Sequence, residues 1–111
     1  MAALFIDPGA MRAELALLQC ERIDDELGGF VESWVETGIA FGQIEPVAAR
    51  DFFAADQMQE EVTHRIFMRW RPDISSGMRL AKAERLFDVL TVHDPDESGR
   101  YIVCRVREQG R

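Results

Sequence analysis

Two histidines, two cysteines and an alternating run of arginines are the side chains of this 111-residue sequence whose chemistry could serve a reaction or a ligand. His64 falls on the apolar side of an alternating stretch, where a histidine is ordinarily a satisfied core or interface residue rather than a ligand or a base. No cysteine or serine nucleophile stands near it in sequence to be activated. His93 precedes Asp94 and Asp96, but two neighbouring carboxylates lack the fixed ligand pattern of a calcium loop, and a polar turn is the simpler reading. Cys20 and Cys104 each sit in an apolar stretch, as buried free thiols do in a reducing compartment. A disulfide between them would require the first and last strands to be neighbours. Two cysteines and two histidines without close spacing make no zinc site. With no nucleophile–base pair, metal motif or phosphate loop, the sequence leads us to expect no catalytic residue, no metal and no cofactor, and an enzyme ranks last among its readings.

The arginines are more informative. Arg65, Arg69 and Arg71 share one side of the alternating stretch, and Arg105 and Arg107 extend the set from the last strand. Such side chains reach phosphates, pair across strands with Asp or Glu, or pair between subunits. Phe67 is the one aromatic interleaved with them, the pattern that a small nucleic-acid-binding barrel would need. A formal net charge of −7 weakens that reading, because an acidic surface repels a polyanion. Trp34, between Glu32 and Glu36, is a candidate partner surface, since tryptophan carries a large share of binding energy where it is exposed. Asp24, Asp25 and Glu26 form an acidic tip before Gly28 and Gly29, a solvated hairpin by default.

These residues must be positioned by short strands. Ala13–Arg22 suits a helix or a strand, but the polar, glycine-ended turn at Ile23–Gly29 and the β-rich Phe30–Val35 make a hairpin of the pair. Gly38–Glu45 is a third strand, in which Gly42 allows close packing or a bulge. Val47–Gln57 is predicted as the single helix. Pro46 suits a first turn, Glu45 and Asp51 complement the helix start, and Phe52 and Phe53 anchor it. From Glu61 the period changes to two: Val62, His64, Ile66, Met68 and Trp70 face the core and Thr63, Arg65, Phe67, Arg69 and Arg71 face outward, until Pro72 ends the strand. Trp70, Phe52 and Phe53 are accordingly expected in the core. After a turn at Asp73–Gly77 come short strands at Met78–Ala81 and Glu84–Val92, a turn at His93–Gly99, and a last strand, Arg100–Glu108. In that strand Ile102, Cys104 and Val106 point inward and Tyr101, Val103, Arg105 and Arg107 outward. The fold class that follows is mainly β: a small antiparallel barrel or sandwich with one short helix inserted before the longest strand.

One domain is expected over residues 1–111, with residues 1–12 as an N-terminal extension. A hydrophobic fraction of 47% fits a globular chain, and no apolar run reaches the roughly 20 residues a membrane span needs. Residues 1–12 hold an apolar patch but no basic leader, and Asp7-Pro8-Gly9 interrupts it. No export signal and a cytoplasmic location are therefore expected.

In order along the chain, Ile44-Glu45-Pro46, Arg50–Ala55, Gln59–Ile66, Arg69, Arg71-Pro72, Gly77–Arg79, Leu86–Val89 and Asp94-Pro95 resemble the phage head–tail joining family. These are the head-closure or stopper proteins of long-tailed phages, prophages and gene transfer agents. The likeness runs from about Met11 to about Glu108, and its specific part is Glu45–Ile66. Three departures stand out: the mild Ala13–Leu18 where the family has a basic strand, the extra Met1–Ala10, and Ala81–Glu84 and Phe87 near the penultimate strand where the family often has a tyrosine and glycines. The resemblance implies a non-catalytic β-barrel that forms a homo-oligomeric ring of six, or alternatively twelve, subunits. That ring would sit between the portal–adaptor complex and a tail terminator or tail tube protein. Packaged double-stranded DNA would pass through it without specific binding, and no membrane would be involved. The protein would be cytoplasmic during assembly and then lie in the particle neck. In that setting Arg65, Arg69, Arg71, Arg105 and Arg107 would pair with Glu60, Glu61 or the acidic turn of a neighbouring subunit. Trp34 would meet a partner, and Asp24, Asp25 and Glu26 would reach toward the channel or the tail.

Overall fold

The computed structural model describes residues 6–47 and 62–110. Six antiparallel strands close into a barrel: β1 (Ala13–Asp24), β2 (Phe30–Pro46), β3 (His64–Arg69), β4 (Arg79–Lys82), β5 (Arg85–His93) and β6 (Tyr101–Glu108), in the spatial order β1-β2-β3-β6-β5-β4. A 3-10 turn at Pro8–Ala10 precedes them, its first amides satisfied by Asp7, whose carboxylate accepts from the Gly9 amide at 2.9 Å. The predicted helix, Val47–Gln57 with Phe52 and Phe53, lies outside the described residues apart from Val47, whose amide donates to the Thr63 carbonyl at 3.0 Å. Pro46 before it closes β2 rather than opening a helix. Glu60 and Glu61 also lie outside the described residues.

Alternation does the folding. Leu15, Leu17, Ile66, Met68, Leu80, Phe87, Val89, Ile102, Cys104 and Val106 come from all the strands except β2 and fill the interior, each almost fully removed from water. From β2 come Ala40, Gly42 and the partly buried Ile44. Gly42 is small for a reason. A Cβ there would come within 3.0 Å of Ile66 Cγ2 and of the Phe67 carbonyl oxygen, and 3.1 Å of Leu15 Cδ1. The close approach of β2 to β3 at Gly42↔Met68 depends on that missing atom.

Four readings of the sequence need correction. The strands expected at Phe30–Val35 and Gly38–Glu45 are one, because Glu36-Thr37-Gly38 does not turn. Thr37 is absorbed as a bulge, with Leu17 opposite Gly38 and Leu18 opposite Glu36. The longest strand is therefore β2, at 17 residues, and not the His64 strand, which has six. Val62 and Thr63 stay alongside the sheet, the Thr63 amide donating to the Val106 carbonyl at 2.9 Å, without joining the regular ladder. Trp70 is about half exposed, since β3 ends at Arg69 before the alternation reaches it. Phe67 and Val103 do point outward, yet they are buried, because Ile6, Met11 and Tyr101 cover them as a second apolar cluster on the outer wall. The two cysteines are free. β1 and β6 are not neighbours in the barrel, so the condition for pairing them is absent.

The molecule measures 54 × 29 × 26 Å because β1 and β2 outrun the barrel. β4 pairs with β1 only at Ala16, Leu17 and Leu18, and β3 meets β2 only from Gly42 to Pro46. Gln19–Asp24 and Phe30–Val35 thus project as a two-stranded arm.

Gly42→Ala should lower stability by about 1–3 kcal/mol through overpacking. Urea unfolding checks it: the midpoint falls and the slope stays constant.

Candidate interaction surfaces

The arm tip is built by its own carboxylates. Asp24 accepts from the Glu26 amide at 3.0 Å, and Asp25 accepts from the Leu27 amide at 2.8 Å and the Gly29 amide at 3.0 Å. Those two backbone amides hold the Asp25 carboxyl below its usual range. Gly28 supplies a positive φ of 87°, and Glu26 adopts one of 65°. The result holds Leu27, 90% exposed, at the apex. Because alternation continues past the barrel rim, Ile23 and Val31 form a cross-strand pair on the continuation of the inner face, with Val35 further along it. No third strand covers them there, and all three are exposed.

The opposite face of the arm is anchored. The Arg79 guanidinium stacks 3.9 Å from the Trp34 ring, while its Nε donates to Asp88 at 2.9 Å. Arg107 and Gln109 reach the same carboxylate at 3.5 and 3.1 Å. Burial alone would raise the Asp88 carboxyl, but the hydrogen bonds from Arg79 and Gln109 outweigh it and the group titrates low. Trp34 is thus tied to β4 and β5 rather than freely displayed. Arg22 lies 5.5 Å from the Phe30 ring at the far end of the same face.

The five arginines separate. Arg65 pairs with Glu45 across β2–β3 at 2.6 Å and lies directly opposite Arg105 in the β3–β6 register. Its neighbour Glu45 offsets that like-charge pair. Arg107 joins the Asp88 network. Arg71 binds Asp73, with Nη2–Oδ2 at 2.8 Å, and donates from Nη1 to the Ile39 carbonyl at 2.8 Å, holding β2 to the chain beyond β3. The Arg71–Asp73 hydrogen bonds raise the arginine and lower the carboxyl. Arg69 is exposed and has no carboxylate within ion-pair distance among the described residues. It lies beside a groove of about 410 Å³ where β2 and β3 part, walled by Ile39, Phe41 and Trp70.

The polar groups that could suggest catalysis have structural work. His64 is buried, its ring edge-on to Phe87 at 5.5 Å, with Nδ1 2.8 Å from the Thr63 hydroxyl and Nε2 3.8 Å from Glu108. Glu108 is itself buried and takes two hydrogen bonds from Arg85, at 2.8 and 3.0 Å. Sequence reasoning missed Arg85 and Glu108; the acid falls at an inward position of β6, the one signal that could have found it. Asp94 and Asp96 are spent on their own turn, accepting from the Asp96, Gly99 and Ser98 amides. Burial and the nearby Arg105 lower His93. Burial pushes the Cys104 thiol up to about 12. Among the described residues no group of three or more His, Cys, Asp or Glu could hold a metal ion, and no helix is long and apolar enough to cross a membrane.

A closed barrel that leaves uncovered the apolar side chains of an arm, a groove lined by apolar residues and arginines together, and, among the described residues, charges without an ionic partner has the build of an assembly module. The chain belongs to the phage head completion protein family, whose model matches residues 6–109. That membership gives it a structural role in the phage head. Its fold resembles the solution structure of a protein from Shigella flexneri 2a, with a TM-score of 0.74 at 18% identity, covering 96% of this chain and 99% of that one. It also resembles a chain in the virion of a native gene transfer agent particle, with a TM-score of 0.59 at 22% identity, covering 84% of this chain and 89% of that one. No curated protein matches the sequence.

Asp88 supplies a pH test. Its folded-state carboxyl titrates below the unfolded value of about 3.9, so its contribution is complete above that value and is lost as pH falls through the folded one. Thermal unfolding followed from about pH 6 to about pH 3 should show Asp88→Asn with a lower Tm at about pH 6 and a smaller loss on acidification than the parent.

Proposed function

We propose that this protein is the head-closure connector of a phage or phage-like particle. Its subunits form a ring of six or twelve between the portal–adaptor complex and the tail, keep packaged DNA in, and give the tail a docking surface. The observation that carries this reading is the family match over residues 6–109, nearly the whole chain. Similarity in fold to a chain of a gene transfer agent virion supports it. Ring formation by identical subunits needs a heterologous contact, in which one patch meets a different patch on the neighbour. Charge would favour passage of DNA over its retention on the ring wall, since a chain of net charge −7 does not grip a polyanion. The protein would be made in the cytoplasm and end in the neck of the particle.

Deleting the gene tests the role. Electron microscopy of the resulting particles should show heads and tails accumulating apart, the heads empty or leaking; normal tailed particles would overturn the proposal. A short oligonucleotide titrated at low and high salt should bind weakly at both. Tight binding that weakens steeply with salt would favour a nucleic-acid-binding barrel instead.

A further inference from the structure

Every large hydrophobic side chain that is exposed among the described residues falls in one of two patches. The first is the arm, with Leu27 at its apex, Ile23, Val31 and Val35 along the uncovered face behind it, and Phe30 on the other face near the tip. The second is the groove wall, Ile39, Phe41 and Trp70. A monomer that leaves two such patches uncovered is built for partners. Their charges are opposite. Glu26 accompanies Leu27 at the tip, and its carboxylate has no donor among the described residues, whereas Asp24 and Asp25 are held by backbone amides. Arg69, equally without an ionic partner there, stands at the groove.

The two patches cannot meet within one molecule. Phe30 and Ile39 are nine residues apart on the continuous strand β2, about 30 Å at roughly 3.3 Å per residue. The arm is a paired ribbon and does not fold back on itself. We propose that the arm tip of one copy of this chain seats in the β2–β3 groove of the next. Leu27 enters between Ile39, Phe41 and Trp70, the Ile23–Val31 pair lies along the rim, and Glu26 pairs with Arg69. This rests on the connector reading and supplies the heterologous contact that a ring requires. A second copy fits better than another protein because each chain carries both the tip and this groove, each with exposed apolar side chains and a charge of opposite sign to the other's. Docking also loses little conformational freedom, since Asp25 has already ordered the tip.

Covalent capture in assembled particles tests it. Glu26→Cys and Arg69→Cys are combined with Cys20→Ser, which leaves only the buried Cys104, and the gene replaces the parent in producing cells. Mild oxidation of purified particles should give a ladder of multimers of this chain ending in one ring-sized species, absent from either single-cysteine control. Tailed particles that contain the protein but release it only as a monomer, or joined to a different protein, would overturn the tip-in-groove contact while leaving the connector role in place. Tailed particles that lack the protein would overturn both. Charge exchange gives a second test: Arg69→Glu alone should cut tailed particles about ten-fold or more, and Glu26→Arg with Arg69→Glu should restore them. A double variant no better than Arg69→Glu alone would overturn the pairing.

Discussion

Closure of the sheet through three residue pairs, Ala16–Ala81, Leu17–Leu80 and Leu18–Arg79, governs the rest of the molecule. Without it, β1 and β4 would be edges and the interior would open along one side. With it, Leu15, Leu17, Leu80 and Phe87 share one enclosed core. Because β4 has only four residues, closure stops at Leu18, and everything β1 and β2 add beyond that point must project. Barrel and arm are two results of one short strand.

Alternation made much of this legible. The inward set of β6 and of β3 as far as Met68 follows from a period of two, and the turns at Asp73–Gly77 and His93–Gly99 follow from their residue types. What could not be read was decided by pairing partners. Nothing local distinguishes Glu36-Thr37-Gly38 from a turn; only Leu17 and Leu18 opposite it show that one residue is a bulge. Trp70 continues the pattern in sequence, but no neighbouring strand accompanies it inward. Phe67 and Val103 look solvent-facing until a segment from the chain start, distant in sequence, covers them.

The candidate surface was legible in composition and not in arrangement. The arginines were visible, yet their fates depend on which acid the fold brings within reach: Glu45 across β2–β3 for Arg65, Asp88 across β5–β6 for Arg107, and Asp73 two residues further along the chain for Arg71. Arg69 differs because Tyr101 faces it in the register. Trp34 looked displayed, and Arg79 from a strand forty-five positions later lies over it. The acidic tip was placed correctly on a hairpin turn, but that Asp25 is consumed by the turn while Glu26 is not required the backbone geometry.

The arm has a mechanical consequence. No linker joins it to the barrel: the strands that carry Leu27 outward are the same strands whose inner side chains, Leu15, Leu17 and Ala40, wall the core. A pull or twist at the tip therefore passes along paired backbone into the packed wall. The bulge at Thr37 and the Arg79 clamp on Trp34 sit at the fulcrum. Close-packed interiors transmit strain rather than absorb it, so whatever grips the tip also leans on the barrel.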